Sequence, residues 1–378
     1  VRTSTLGGGR IGVGIVGLSA SGGWAAAAHV PAVTSLGGFE LRGLVASTSA
    51  SAAAAGEKFG VPKAFDSVDD LVAQPEVDLV VVTVKVPEHR QLVRSAIAAG
   101  KAVLCEWPLG NGLAETIELA DAARAAGTPA FVGLQARSAP TVRYLRDLVA
   151  DGYIGDILST SVIGSGGAWG ATVSEREEYT LDDSNGATML TIPFGHTADA
   201  VAMVLGEFDD VTATTATRRR QVINSATGES VPMTAEDQIA VTGVLETGAV
   251  ASIHFRGGMC AATNLLWEIN GTRGDLRLTG NSGHLQLAEV ELFGSRDGAV
   301  MAPLPVPDRY RRIPHALLES APRAYNVAEA YLEIEQHLSG RAADAPTFDH
   351  AVTRYRQLER VRVSSTSTQQ LETDDRSM

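Results

Sequence analysis

Apolar residues along this chain fall into short unbroken runs separated by helix-spaced stretches, and the rhythm changes near residue 150. Residues 11–18, IGVGIVGL, form an apolar run that closes on Gly17 and precedes Ser-Ala-Ser-Gly-Gly and an Ala-rich stretch. That pattern predicts strand, tight turn, helix. Residues 39–46 predict a second strand, 49–59 an Ala-rich helix and 68–73 a short one. The run VDLVVVTV over 77–84 is unbroken and β-branched, as a parallel strand buried on both faces requires. Helical spacing over 87–99, a strand over 102–106, a helix over 113–126 and a strand over 130–134 continue the alternation. Such alternation predicts a doubly wound parallel sheet with helices on both faces, with ligand at the carboxyl ends of the strands.

After Pro140 a helix is predicted to about residue 150, stopping at Asp151-Gly152. Strands then dominate, at 157–163, 211–218, 237–245, 249–255, 265–271, 274–279 and 283–287, with turn signals at Glu246-Thr247-Gly248 and between Asn270 and Gly274. These read as antiparallel hairpins. Helices are predicted at 187–205 and 324–338, and residues 364–378, SSTSTQQLETDDRSM, lack any apolar period and read as a disordered tail. The expected fold class is therefore α/β plus α+β: a Rossmann-type parallel sheet over 11–136, then a mixed domain over 137–363 built on a large, mainly antiparallel sheet. Residues 1–10 are expected to be a flexible tail.

A length of 378 residues supports two domains. The net charge of -13 argues against nucleic acid as a partner, because phosphate-backbone binding calls for a basic surface. The run Arg218–Arg220 is the local exception and reads as a solvated loop or strand edge. Two cysteines, Cys105 and Cys260, have no metal-type spacing, so neither a disulfide framework nor a metal is expected and a reducing cytoplasm fits. No stretch reaches the roughly 18 continuous apolar residues of a membrane span, and the first ten residues carry no apolar signal core.

The first turn reads Gly17-Leu18-Ser19-Ala20-Ser21-Gly22-Gly23-Trp24, with Ser19 where a dinucleotide fingerprint has its second glycine. Glycines there let the backbone approach a pyrophosphate held by the amides of the following helix, which makes Gly17, Ser19, Gly22, Gly23 and Trp24 candidate cofactor contacts. The second strand ends in Ala46-Ser47-Thr48-Ser49 rather than in an acid. Ser47 and Thr48 can hydrogen-bond a 2′-phosphate without repelling it, which favours NADP over NAD; equally, these hydroxyls can cap the next helix. Val84 ends the buried strand and belongs with the cofactor contacts, and Lys85 follows it.

The segment VVVTVKVPEHRQLVRSAIAAGKAVLCEWPLG resembles the central signature of the glucose-fructose oxidoreductase, inositol dehydrogenase and rhizopine-catabolism (Gfo/Idh/MocA) family. The resemblance implies a Rossmann domain joined to a mixed α/β domain, and oxidation or reduction of a sugar or cyclitol hydroxyl with NAD(P). It matches His89 to a helix-opening histidine and Glu106-Trp107-Pro108 to a Glu-Lys-Pro motif. GLQARSAPTVRYLRDLVADGYIGDI, NGATMLTIPFGHTADAV, and FRGGM followed by INGTRGDLRLTG resemble the branch containing the fungal galactose-regulon repressor, which binds dinucleotide and is not regarded as a catalyst. That branch also has Trp in place of the lysine.

Hydride transfer at a carbinol carbon needs a partner for the hydroxyl proton, and the indole of Trp107 donates a hydrogen bond without titrating. The family's second catalytic element is an Asp followed four residues later by a His; here His196 is present and Ile192 occupies the acid position. Asp199 resembles a structural acid of the family. His196, with an unperturbed pKa of about 6.5, suits proton transfer, or else is a hydrogen-bonded core residue. Lys85, Tyr179, Asp182 and Asp183 are the other candidate proton carriers. On the substrate side, Trp169 in the glycine-rich segment Gly164–Trp169 is expected either as a platform for a sugar face or as part of a bulged sheet edge. Gln135 and Arg137 follow the strand at 130–134 and are expected at ribose or substrate hydroxyls, with a salt bridge as the alternative for Arg137; Trp107, Asp183 and His196 complete the substrate set. The expected function is an NAD(P)-dependent oxidoreductase of a sugar, sugar derivative or polyol. The alternative is a catalytically inactive dinucleotide-binding regulator. Resemblance further implies a homodimer or homotetramer formed through the open face of the second-domain sheet.

Overall fold

The computed structural model describes residues 9–375, with side chains to residue 366; residues 1–8 of the expected amino-terminal tail lie outside the described residues. The chain forms two compact units, one made of the residues up to Ser138 together with Arg311–Thr353, the other of Ala139–Tyr310 and the chain from Arg354 onward.

In the first unit, strands β1 (Ile11–Val16), β2 (Phe39–Val45), β3 (Lys63–Phe65), β4 (Leu79–Val82), β5 (Ala102–Glu106) and β6 (Ala130–Gly133) make one sheet in the order β3-β2-β1-β4-β5-β6. Every pairing is parallel. Leu79, Val80, Val81 and Val82 of β4 are each 0% exposed, and burying side chains of this size contributes about 1.5–3 kcal/mol apiece. The strand order reverses between β1 and β4, the switch point at which such sheets open a crevice. Helices α1 (Val30–Ser35), α2 (Ser49–Phe59), α3 (Val68–Val72), α4 (His89–Ala98) and α5 (Leu113–Ala126) make the crossovers. The Ala-rich helix expected after the first turn is split: Ala25–His29 is π-helical, closed by Val30 N–H onto Ala25 O, and runs into α1. Pro31, with no N–H to offer, interrupts the α-type ladder there.

The second unit opens with α6 (Pro140–Ala150), β7 (Ile157–Gly166) and β8 (Thr172–Val173). A π-helical segment, Leu190–Phe194, then leads into α7 (Gly195–Leu205). The expected single helix over 187–205 is broken at Pro193, and Phe194 N–H reaches Met189 O at 3.1 Å, five residues back. Nine strands follow: β9 (Phe208–Ala216), β10 (Gln221–Asn224), β11 (Ser230–Pro232), β12 (Gln238–Leu245), β13 (Val250–Gly257), β14 (Leu265–Gly271), β15 (Gly274–Gly280), β16 (Val290–Arg296) and β17 (Ala302–Pro303). Eight strands form a sheet in the order β17-β16-β15-β14-β7-β13-β12-β9, and β11-β10-β8 form a small one. β7 pairs parallel with β13 and antiparallel with β14, so the large sheet is mixed. Along β13, Ala251, Ile253 and Phe255 are buried while Val250, Ser252 and His254 are exposed, the alternation of a sheet with one covered face. Arg218–Arg220 are exposed after β9, and the backbone N–H groups of Arg218 and Arg219 each donate to the Asp237 carboxylate at 2.8 Å.

The strand expected at 283–287 is a turn, in which His284 O accepts from Leu287 N–H at 2.8 Å and Ala288 N–H at 3.0 Å. Gly283 is pressed against β7 so closely that a Cβ there would lie 2.0 Å from Ser165 N, which takes the segment out of a sheet ladder.

The chain then returns to the first unit, contrary to the single boundary expected at 136/137. α8 (His315–Ser320) precedes α9 (Pro322–Leu338), whose Ala324, Val327, Ala328 and Tyr331 join the core around Val33 and Phe39. Tyr331 meets Phe39 edge to face at 5.1 Å. The last helix, α10 (Phe348–Asp375), covers most of the segment expected to be disordered; residues 376–378 lie outside the described residues. Its serines are acceptors: Ser364 Oγ receives Ala213 N–H at 3.0 Å, Ser365 Oγ receives Thr215 N–H at 2.9 Å, and Arg360 donates to Phe208 O and Asp209 O. β9 is an outer strand of the large sheet, and α10 thus occupies the backbone groups that an open edge would offer to other chains. Among the described residues, no helix is long and apolar enough to cross a membrane.

Candidate functional site

The carboxyl ends of β1, β4, β5 and β6 gather the candidate residues of the first unit. Gly17, at φ +97°, turns the chain out of β1; a Cβ there would meet Val84 Cγ1 at 2.8 Å and Thr83 Oγ1 at 2.9 Å, so only glycine brings this turn against the end of β4. Gly22 and Gly23 also have positive φ, and nothing lies within 4 Å of a Cβ built on Gly22. The turn therefore has an open side at Gly22. Ser19 Oγ accepts from Ser21 N–H at 3.2 Å, which is how the non-glycine position is accommodated, and Trp24 packs edge-on to His29 at 6.2 Å.

At the end of β2, Ser47 is exposed, while Thr48 caps α2 by accepting Ser51 N–H at 3.1 Å. Ser49 donates to the carboxylate of Asp66, which follows β3. An acid therefore does stand at this corner, carried by the neighbouring strand. Val84 is half-buried and Lys85 exposed beyond β4.

His89 is buried and braces two strand ends: Nε2 faces Val84 O at 3.0 Å, and Nδ1 faces Pro108 O at 3.0 Å and Cys105 Sγ at 3.3 Å. Backbone carbonyls, which only accept, face both ring nitrogens, so the neutral ring donates from one of them and lies close to an acceptor at the other. His89 therefore fixes the Trp107-Pro108 segment, joined by a cis peptide, through contacts within the protein. Trp107 is 5% exposed. Glu106 Oε1 accepts from Gln135 Nε2 at 2.6 Å and faces His29 Nε2 at 3.1 Å, while His29 Nδ1 meets Tyr331 OH at 2.9 Å. Arg137 Nη1 lies 2.7 Å from His350 Nε2. Neither His29 nor Tyr331 emerges from the sequence. Tyr331 arrives from a helix three hundred residues downstream, which no local pattern announces.

In the second unit, His196 on α7 is 2% exposed, and its Nδ1 is buried with no hydrogen-bond partner among the described residues. Its ring centroid lies 5.2 Å from that of His284, a residue the sequence does not single out. Burial pushes the His196 imidazole well below its usual value, the neighbouring His284 adds to this, and Asp199 opposes it. Desolvation holds His284 at about 4. Asp199 is buried against Arg354 of α10 at 3.5 Å, and Arg354 grips Glu207 through both Nη atoms at 3.0 and 2.7 Å, which gives Asp199 a structural partner.

Four other candidates of the second unit have surroundings of their own. Trp169 is 5% exposed and donates from Nε1 to Thr180 O at 3.0 Å, so it offers little open face to a sugar and instead wedges the glycine-rich segment. Burial, with Glu177 adding, raises the Tyr179 phenol, which keeps it a donor rather than a base. Asp182 caps Ser184 N–H at 3.0 Å, and Asp183 accepts from Thr234 Oγ1 at 2.9 Å. Among the described residues, no group of three or more His, Cys, Asp or Glu side chains is placed to hold a metal ion.

Comparison with known proteins agrees with this geometry. Residues 11–134 match the oxidoreductase family with NAD-binding Rossmann fold, and residues 140–280 match the Gal80p carboxyl-terminal domain. The chain is 29% identical over 312 residues to the galactose/lactose metabolism regulatory protein GAL80 of Saccharomyces cerevisiae, covering 77% of this chain and 72% of that one. It is 28% identical over 256 residues to 1,5-anhydro-D-fructose reductase of Ensifer adhaerens, covering 65% and 70%. A super-repressor mutant of Gal80p from Saccharomyces cerevisiae superposes with a TM-score of 0.85 at 25% identity, over 95% of this chain and 97% of that one. With the parallel dinucleotide sheet, the mixed eight-stranded sheet and both matches in hand, the chain belongs to the Gfo/Idh/MocA oxidoreductase family, in its Gal80-like branch.

Proposed function

We propose that this protein is a nicotinamide-dinucleotide-dependent oxidoreductase acting on a hydroxyl or keto group of a sugar, sugar derivative or polyol. The observation that carries the reading is His196: a buried, neutral imidazole whose Nδ1 has no hydrogen-bond partner among the described residues. A buried polar atom without a partner costs about 1–3 kcal/mol, a cost relieved when a ligand hydroxyl bonds to it. The likeness to 1,5-anhydro-D-fructose reductase supports the sugar class. The first turn fits the dinucleotide through the open side at Gly22 and the close passage at Gly17. Bound there, the cofactor supplies the hydride acceptor or donor; binding, orientation and the proton fall to the chain. Asp66 at the corner of β2 and β3 supports NAD over NADP, since a carboxylate beside a 2′-phosphate repels it.

One feature favours a second reading, a dinucleotide-binding regulator. Trp107 and Ile192 stand where the family has its lysine and aspartate, and neither exchanges a proton. Following nicotinamide absorbance with NAD and with NADP against a panel of sugars, polyols and their keto forms separates the two. Turnover with NAD is the expected result. Dinucleotide binding without turnover across the panel would move the conclusion to the regulator. Assembly through the open sheet face, where Ala240, Thr242, Val244, Val250 and Ser252 are exposed, is expected to give a homodimer or homotetramer by light scattering; a monomer at micromolar concentration would exclude it.

A further inference from the structure

We propose that His284 is a positioning residue for His196, the two rings forming one proton site that takes a single proton between them. This deepens the oxidoreductase reading and rests on it. The rings stand 5.2 Å apart and tilted by 45°, with Nδ1 of His196 and Nε2 of His284 both buried and without a hydrogen-bond partner among the described residues. Their placement is fixed from both sides. Thr197 Oγ1, one residue from His196, donates to the O of Gly283, one residue from His284, at 3.4 Å. Gly283 in turn lies directly on the backbone of Ser165, and Ser282 Oγ receives His284 N–H at 3.2 Å.

Two imidazoles this close in a desolvated place do not both become cations, because the second charge is repelled by the first with little water to screen it. A proton leaving a substrate hydroxyl for His196 is therefore taken up as the pair's one charge. The other ionisable neighbour is Asp199, one turn along α7, which favours the charged ring and is itself engaged by Arg354. The π-helical segment Leu190–Phe194 carries no ionisable residue, and α6 turns Asp147 to Arg146 and Tyr310.

The test is a histidine C2-proton NMR titration of the full chain without cofactor or substrate, in the parent protein and in His284→Phe and His284→Gln. The expected result is that the midpoint of His196 rises by about one pH unit in both variants, and that the acidic limb of the pH profile of kcat/KM moves up with it. A His196 midpoint unmoved in both variants overturns the pairing. Because the titration needs no turnover, a shifted midpoint in a protein that proves inactive upholds the pair and counts only against the oxidoreductase reading.

Discussion

Replacing His196 with alanine is expected to lower kcat/KM for a hydroxyl-bearing substrate by a factor on the order of 10² to 10⁴ while leaving dinucleotide affinity unchanged. The residues named for the dinucleotide belong to the first unit and His196 to the second, so binding and proton transfer are separable in the measurement. Substitutes for the imidazole are poor. Trp107 does not titrate, Tyr179 is held protonated by burial, and a ring only 2% exposed leaves little room for water to act in its place. Steady-state kinetics beside a fluorescence titration of the dinucleotide reads both halves of the expectation. His196→Gln, which can hydrogen-bond a hydroxyl but does not titrate, is expected to behave like the alanine variant. Parental turnover in both would assign the proton to another group, with Lys85 beyond β4 the first to replace.

Acidification is expected to weaken the fold well before carboxylates begin to titrate. His89, His196 and His284 all ionise less readily when folded than in a free chain, in each case chiefly through burial. As pH falls below the free value of about 6.5, the unfolded chain takes up protons that the folded chain refuses, so stability falls with pH. For His284, a folded value of about 4 against 6.5 corresponds to a loss of about 3 kcal/mol by the time pH reaches the folded value. Asp147 is a half-exposed carboxylate that partial burial would raise but that Tyr310 and Arg146 hold low, and it adds its loss only below its ordinary 3.8. Urea midpoints between pH 7 and 4.5 thus isolate the histidines. A flat midpoint over that range would show that the rings titrate alike in both states, and His284→Phe is expected to reduce the slope by one proton.

The parallel sheet was legible because β1, β4, β5 and β6 are buried on both faces and carry few polar residues; β4 is the clearest case. The open sheet was legible in outline from alternation and hairpin turns. What escaped the sequence was set by distant contacts. Residues 283–287 alternate like a strand, yet Gly283 is pinned to β7 and the segment turns. α10 buries Ala351, Tyr355, Leu358 and Val361 at helical spacing, but Arg354 and Gln357 share that buried side and blur the apolar stripe. Its Ser-rich end reads as solvent-loving, although the hydroxyls of Ser364 and Ser365 serve the β9 edge. At the candidate site, Gly17, His89, Glu106 and His196 were singled out from motif and position. His29, Tyr331, His284 and Asp66 were not, because each gains its place from a partner far along the chain or on a neighbouring strand.

The return of Arg311–Thr353 to the first unit bears on how the molecule is made. A ribosome delivers β1 through β6 first, but Ile313, Leu317, Tyr325, Val327 and Tyr331, which fill the same core, emerge only after Ala139–Tyr310. The nascent dinucleotide sheet must wait with that apolar surface uncovered while Ala139–Tyr310 is translated, so amino-terminal fragments ending before Arg311 are expected to be clients for chaperones rather than autonomous binders.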